Sequence, residues 1–385
     1  VAFYELLILG KPEKWQMAAL ADRLTEAAQV FDLDVPSQLA WRSADQASHR
    51  ERKAATAAVF FGGDLDADGE LVAELQADEI PVIPVVAAGT SFNDQVPDAL
   101  RSTNGYFIPD GDDQLEALAA VLLESVGLLH EQRRVFVSYR RTESREVAVQ
   151  LHDLLSARNF DVFLDTHDIR PGKPFQEMLW HRLVDCDLVI VLDTPDYFGS
   201  KWTTQEFGRA LAKGIHILRL IWPGHAPSRH LSLADSIPLS GLDFTPDNRL
   251  TAASIGHIVQ RAERLRSRSI ATRHLEIAGK LRLEIERIGG RFEGIGAHRS
   301  ISLSLPSGRR VWAYPAVGIP TADILNDVQS KAEKAVTKGF PLLIYDHVGI
   351  RDAWLDHLKW LDTHISAVRA LRVMDAAWEL VAWDN

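Results

Sequence analysis

The sequence is short of the residues that most often advertise chemistry by themselves. Its 385 residues include one cysteine, Cys186, and three methionines. A single cysteine excludes an internal disulfide and a thiolate metal cluster. Cys186 lies beside the apolar run LVIVL, which makes it a core residue rather than a nucleophile. The 14 histidines show no HExxH and no His/Cys spacing suited to a metal. There is no GxxxxGKS/T phosphate loop and no GxSxG elbow. No apolar run approaches the roughly 18 residues that span a bilayer. The opening segment VAFYELLILGKPEKW has no basic lead-in and no small-residue cleavage site, so it reads as a first β-strand rather than a signal peptide. The expectation is a cytoplasmic chain with no bound metal and no membrane partner. No Pro/Ser-rich linker interrupts it, so its domains are expected to pack rather than float.

What is present is the composition of a globular protein, 46% hydrophobic and 25% charged, long enough for two or three domains. The net charge of −11 is uneven. Residues 1–130 carry 22 acidic against 8 basic side chains, whereas Arg261 to Arg310 carries 12 basic against 5 acidic. The basic segment is a candidate surface for nucleic acid, a cyclic nucleotide or an acidic protein. It is equally readable as helix faces that meet the acidic first domain or as solvated surface.

Hydrophobic periodicity divides the chain into three parts. In residues 1–130 the runs LLILG, AAVFFGG, IPVIPVVAAG and GYFIPD are short continuous strands. Between them lie segments with helical spacing, such as KWQMAALADRLTEAAQVF with Met17, Leu20, Leu24 and Ala27. Apolar strands alternating with helices predict a parallel sheet covered on both faces. The order then restarts: RVFVSYRR, a helix with Val147, Leu151, Leu154 and Leu155, then DVFLD, PFQEMLWHRLVD, DLVIVLD, TTQEFGRALAKG and IHILRLIW, with IPLSGLDF as a weak last strand and SIGHIVQRAERLRSR as a closing helix. This reads as an internal repeat of element order. From about Thr272 the pattern becomes α+β, with a charged helix HLEIAGKLRLEIERIGG, a hairpin over 301–314, and the strands FPLLIYDH and VRALRVMD. The expected domains are 1–130, 131–268 and 269–385. GRFEGIG has nucleotide-loop glycine spacing but follows a helix, not a strand, and is discounted.

A doubly wound sheet binds ligands at the carboxyl ends of its strands. In the middle third those ends carry Ser138-Tyr139-Arg140-Arg141, then Asp165 with the loop THDIRPGKPF, then TPDYFGSKW running into the helix with Glu206. VFVSYRR resembles the first signature segment of TIR domains. DVFLDTHDIRPGKPF resembles the second with its BB loop, including Asp168, Pro171 and Gly172. KWTTQE matches the Trp-x-x-x-Glu of the enzymatic members, with Trp202 and Glu206 four apart. The resemblance covers 110 to 130 residues. It implies a flavodoxin-like TIR domain of the bacterial NAD-consuming effector type, preceded by a degenerate TIR-like or receiver-like α/β domain and followed by a smaller α+β domain.

The resemblance further implies that Glu206 is the catalytic carboxylate for cleaving the nicotinamide–ribose bond of NAD⁺. NAD⁺ is then a substrate, with no other cofactor. Ser138, Tyr139, Arg140, Phe163, Asp165, Arg170, Ser200 and Trp202 are the implied NAD⁺-binding residues, with Arg140 and Arg170 as pyrophosphate partners. The chemistry agrees, because a pyridinium leaving group needs no acid. The site must instead stabilise an oxocarbenium-like transition state, which a nearby carboxylate does. Each residue also has a structural reading. Glu206 is a first-turn glutamate favoured by the helix dipole, Trp202 a packing residue, Arg140 and Arg141 solvated strand ends, and Asp165 and Asp168 shapers of a turn. In the first domain Leu71 and Ala67 face the places of Glu206 and Trp202, so that copy carries no such chemistry.

The family implies an antiphage-defence effector activated by self-association of TIR domains from several copies, with 269–385 as sensor of a nucleotide, nucleic acid or protein trigger. The alternatives are a non-enzymatic TIR scaffold and a TIR subunit of a nucleic-acid-guided complex. Linear and cyclic ADP-ribose products both remain open.

Overall fold

The apolar runs of the first third become β1 (Tyr4–Gly10), β3 (Ala55–Phe61), β4 (Val82–Ala87) and β5 (Tyr106–Ile108), with helices α1 (Lys14–Val30), α2 (Gly69–Ala77) and α3 (Glu116–Ser125) between and after them. A fifth strand, β2 (Leu39–Ser43), pairs with β1 at the sheet edge. Its sequence LAWRS is short and only half apolar, which is why periodicity passes over it. The computed structural model describes residues 2–51, 53–109, 115–164, 175–199, 208, 210, 212–227, 229, 232–335 and 338–384. It divides into two compact units, one of Val1–Glu131 with Gly296–Arg299, the other of Gln132–Ile295 with Ser300–Asn385.

The first unit is one parallel sheet in the order β2-β1-β3-β4-β5. Leu7, Leu9, Ala58, Phe60, Val72 and Leu75 fill one side of it. The turn after β1 needs glycine. Gly10 has φ +75°, and a Cβ there would stand 2.0 Å from the Phe61 carbonyl oxygen.

The second unit begins with β6 (Arg133–Ser138), α4 (Arg141–Ser156), β7 (Phe160–Leu164), α5 (Phe175–Asp185), β8 (Leu188–Asp193), β9 (His216–Ile221) and β10 (Asp235–Pro238). All five strands are parallel, in the order β10-β9-β8-β6-β7. Counted from its own first strand, this is the same order as in the first unit, the flavodoxin-like 2-1-3-4-5. The last strand is Asp235–Pro238, and the expected GLD stretch is instead a tight 3₁₀ turn.

Alternation along the strands gives the sheet two cores. Val135, Val137, Leu188, Ile190 and Leu192 face α4, whose Val147, Leu151 and Leu155 are buried there. Phe136, Phe163, Val189 and Val191 face α5 with Leu179 and Leu183. Burying a side chain of this size stabilises by about 1.5–3 kcal/mol, so the two cores are what hold the sheet between its helices.

The helix that follows, α6 (Ala252–Arg287), is 36 residues long. Two helices meeting near Thr272 are expected from the pattern, but one continuous helix forms. Thr251 caps it, its hydroxyl accepting from the Ser254 amide. Its first half buries Ile258, Ala262 and Leu265 against the sheet core beside α4. Its second half buries Ile277, Leu281 and Ile285 against another sheet. That sheet runs β11 (Arg291–Ile295), β12 (Ile301–Ser304), β13 (Arg310–Ala316), β14 (Phe340–Tyr345) and β15 (Arg369–Arg372), in that spatial order. Its first three strands are antiparallel neighbours and its last three parallel. Helices α7 (Ala322–Lys334) and α8 (Asp352–His364) cover the face away from α6, and α9 (Ala376–Asp384) ends the chain. Of the glycines of GRFEGIG, Gly294 (φ +156°) lies within β11, where it sits at a bulge opposite β12.

Candidate functional site

The carboxyl ends of β6, β7 and β8 lie side by side, with Ser138 registered on Val191 and Val137 on Leu164. Ser138 is buried, and its hydroxyl accepts a hydrogen bond of 2.7 Å from the Tyr197 phenol. Arg140 reaches over the same loop. Its guanidinium donates to the Asp196 carbonyl oxygen, and its Nε lies 3.3 Å from the Thr142 hydroxyl. Thr194 donates to the Glu143 carboxylate. Three contacts therefore fix the segment leaving β8 to the first turn after β6. The local price is a break in α4, where Ser144 leaves helical geometry (φ −141°, ψ 22°) and returns its hydroxyl to the Arg140 carbonyl.

The remaining expected residues divide by face. Phe163 is buried on the α5 side, its ring 5.2 Å from that of Phe136 and beneath the Arg182 guanidinium. Tyr139 points to the opposite core, among Val147 and Leu151, and its buried hydroxyl has no partner among the described residues. Ser138 and Phe163 thus share a face, and Tyr139 does not. Asp165, Arg170, Ser200, Trp202 and Glu206 lie outside the described residues, as do Asp168, Pro171 and Gly172.

Residues 135–252 match a family model described as a TIR domain. The middle of this chain is a TIR domain. Against curated proteins the chain finds no match. The TIR match ends inside the first turn of α6.

At the carboxyl end of β8 and beside β9 the structure shows a buried charged group that the sequence motifs do not signal. Asp193 closes β8 and is fully buried. Arg219 of β9 donates from Nε to its Oδ2 at 2.6 Å. His225 brings Nε2 to 3.4 Å from its Oδ1. His225 belongs to a turn in which its amide donates to the Trp222 carbonyl, while the Trp222 amide donates to the Asp193 carbonyl. The signal available in sequence was an aspartate ending a strand of pure hydrophobics, with an arginine inside the next strand.

The opposite end of the TIR sheet is built from α6 arginines. Arg273 is buried and caps α5, donating to the Val184 and Cys186 carbonyls at 2.7 and 2.8 Å. Burial lowers its pKa. Arg266 donates to Asp187 at 3.1 Å, and Arg133 of β6 to Glu263 of α6 at 2.7 Å. Burial pushes the Cys186 thiol well above its ordinary value, against a role as thiolate. Lys213, seven residues beyond Glu206 in the chain, pairs with Asp346 after β14 at 2.9 Å, and Lys280 of α6 joins at 3.4 Å. Burial works to raise the Asp346 pKa, but Lys213, the Val348 amide and Lys280 outweigh it and hold it low. Much of the basic segment is spent in such contacts: Arg261 on Asp235, Arg266 on Asp187, Lys280 on Glu276, Arg282 on Glu286, Arg287 on Glu284 and Arg310 on Glu293.

Proposed function

We propose that the TIR domain cleaves the nicotinamide–ribose bond of NAD⁺, with Glu206 as the carboxylate that stabilises the cationic sugar. The observation that carries this reading is the Trp202–Glu206 spacing in a segment entered from the carboxyl edge of β8, where ligands of this fold bind. The contacts of Ser138 and Arg140 support it, because they hold the start of that segment in a fixed place. A preorganised anion does most when it need not move as charge develops. In this role Ser138 and Arg140 position the loop. Asp165, Arg170, Ser200 and Trp202 remain the proposed contacts to the nucleotide.

The protein is further proposed to be a defence effector that acts in the cytoplasm when TIR domains of several copies associate. The 269–385 region is the proposed receiver of the trigger, whether nucleotide, nucleic acid or protein. The decisive measurement is nicotinamide release by the purified protein from NAD⁺, with product identification and with Glu206→Gln alongside. Glu206→Gln is expected to lose at least a hundredfold of the rate, the cost typical of removing one transition-state stabiliser. Equal release by the variant would falsify the assignment, and no release by either leaves the TIR domain as a scaffold.

A further inference from the structure

We propose that His225 accepts the proton of the attacking water, oriented for that step by Asp193. The proposal rests on the NAD⁺-cleaving reading above and divides its labour. A pyridinium leaves without help, but water that adds to the sugar must lose a proton to something.

The geometry points to His225 in three ways. First, Asp193 is fully buried, and one of its oxygens is neutralised by Arg219 at 2.6 Å. Among the described residues the other oxygen, Oδ1, has no hydrogen-bond partner, and neither does the His225 Nε2 that faces it at 3.4 Å. Two buried polar atoms left aimed at each other are costly in the resting state. They become a strong, charge-assisted pair once the imidazole gains a proton. Second, the His225 side chain is 16% exposed, and no described residue bonds its Nδ1. The ring therefore has one nitrogen on a buried carboxylate and the other available, the arrangement of a base held by an orienting acid. Third, Asp193 shares the sheet face of Val189 and Val191, with Tyr197 and Phe163. Thr194, next in the chain, begins the segment clamped by Glu143, Arg140 and Ser138. The carboxylate and its histidine thus border the loop that leads to Trp202 and Glu206.

The step balances without another reactant. The C1′–N bond breaks, and its electron pair goes to the pyridine nitrogen, giving neutral nicotinamide. The water oxygen bonds to C1′, and its proton passes to His225 Nδ1 and then to solvent. His225 is the catalytic residue here and Asp193 a positioning residue.

The test exploits a nucleophile that has no proton to lose. Free 3-acetylpyridine can replace nicotinamide on the sugar by base exchange, which needs bond cleavage but no proton acceptor. Both rates are measured for the full-length protein and for His225→Gln, with His225→Ala assayed with and without added imidazole. Hydrolysis is expected to fall about a hundredfold in His225→Gln, the lower end for a general base. Base exchange should stay within about threefold, and imidazole should restore hydrolysis to His225→Ala. Parallel loss of both reactions without rescue makes the ring structural and overturns the proposal, as does unchanged hydrolysis. If the unsubstituted protein performs neither reaction, the NAD⁺-cleaving reading itself falls and takes this one with it. Loss confined to His225 variants leaves that reading standing.

Discussion

Ser138 and Tyr197 are 59 residues apart in the chain, yet their hydroxyls meet inside the sheet edge at 2.7 Å. Neither residue type announces this. A serine in VFVSYRR suggests a ligand contact, and a tyrosine in TPDYFGSKW suggests a loop surface. Period-2 alternation decides otherwise, because Ser138 shares the face of Phe136 while Tyr139 takes the opposite one. Tyr197→Phe keeps the ring and removes the bond. It is expected to lower the unfolding free energy by about 1 kcal/mol in urea titration. It should also slow nicotinamide release at saturating NAD⁺, since the loop it anchors leads to Glu206. A stability loss with no change in that rate would confine the bond to folding.

At the scale of elements, the long helix α6 shows where periodicity misleads. Its buried stripe shifts by roughly a third of a turn between Ile258–Leu265 and Ile277–Ile285, so a single amphipathic pattern does not run through it. The charged residues between look like solvated surface in sequence. Arg266 is instead fully buried, paired with Asp187 at the start of β8. Arg266→Ala leaves that carboxylate without its guanidinium and is expected to cost about 3 kcal/mol or more, read as a lower denaturation midpoint. A cost below about 0.5 kcal/mol would mean that other contacts satisfy Asp187 without it. β2 and β11 were illegible for a related reason: edge strands bury little, so LAWRS and RFEGI carry too few alternating apolar residues to register.

Across the second unit, α6 is shared by the TIR sheet and the C-terminal sheet, and side chains lock the two together. Asp185 at the end of α5 accepts from the Ile319 amide at 2.8 Å. His181 of α5 accepts from the Arg351 amide through Nδ1 at 3.5 Å, with its ring 5.7 Å from that of Trp354. Burial, then the charges of Arg351 and Arg182, lower the His181 pKa from 6.5 to about 4. The unfolded chain therefore binds a proton at His181 that the folded one refuses between pH 6.5 and about 4. Stability from this joint is full above that window and declines as pH falls through it. Urea midpoints at pH 7 and pH 4.5 should differ less for His181→Gln than for the unsubstituted protein, and an identical pH dependence would remove His181 from the joint.

The sequence by itself determined two parallel sheets, without the edge strand β2 of the first, because short all-apolar strands between helices can be buried only with both faces covered. It also located the TIR domain, since signature residues at strand ends are local in the chain. Tertiary structure alone decided that Ser138 meets Tyr197, that α6 runs unbroken, and that its arginines serve the interior. It alone brought His225 to Asp193 and Arg219. The reason is physical. Periodicity reports how each segment meets its nearest buried surface, whereas the pairing of charges depends on which distant segment supplies the partner.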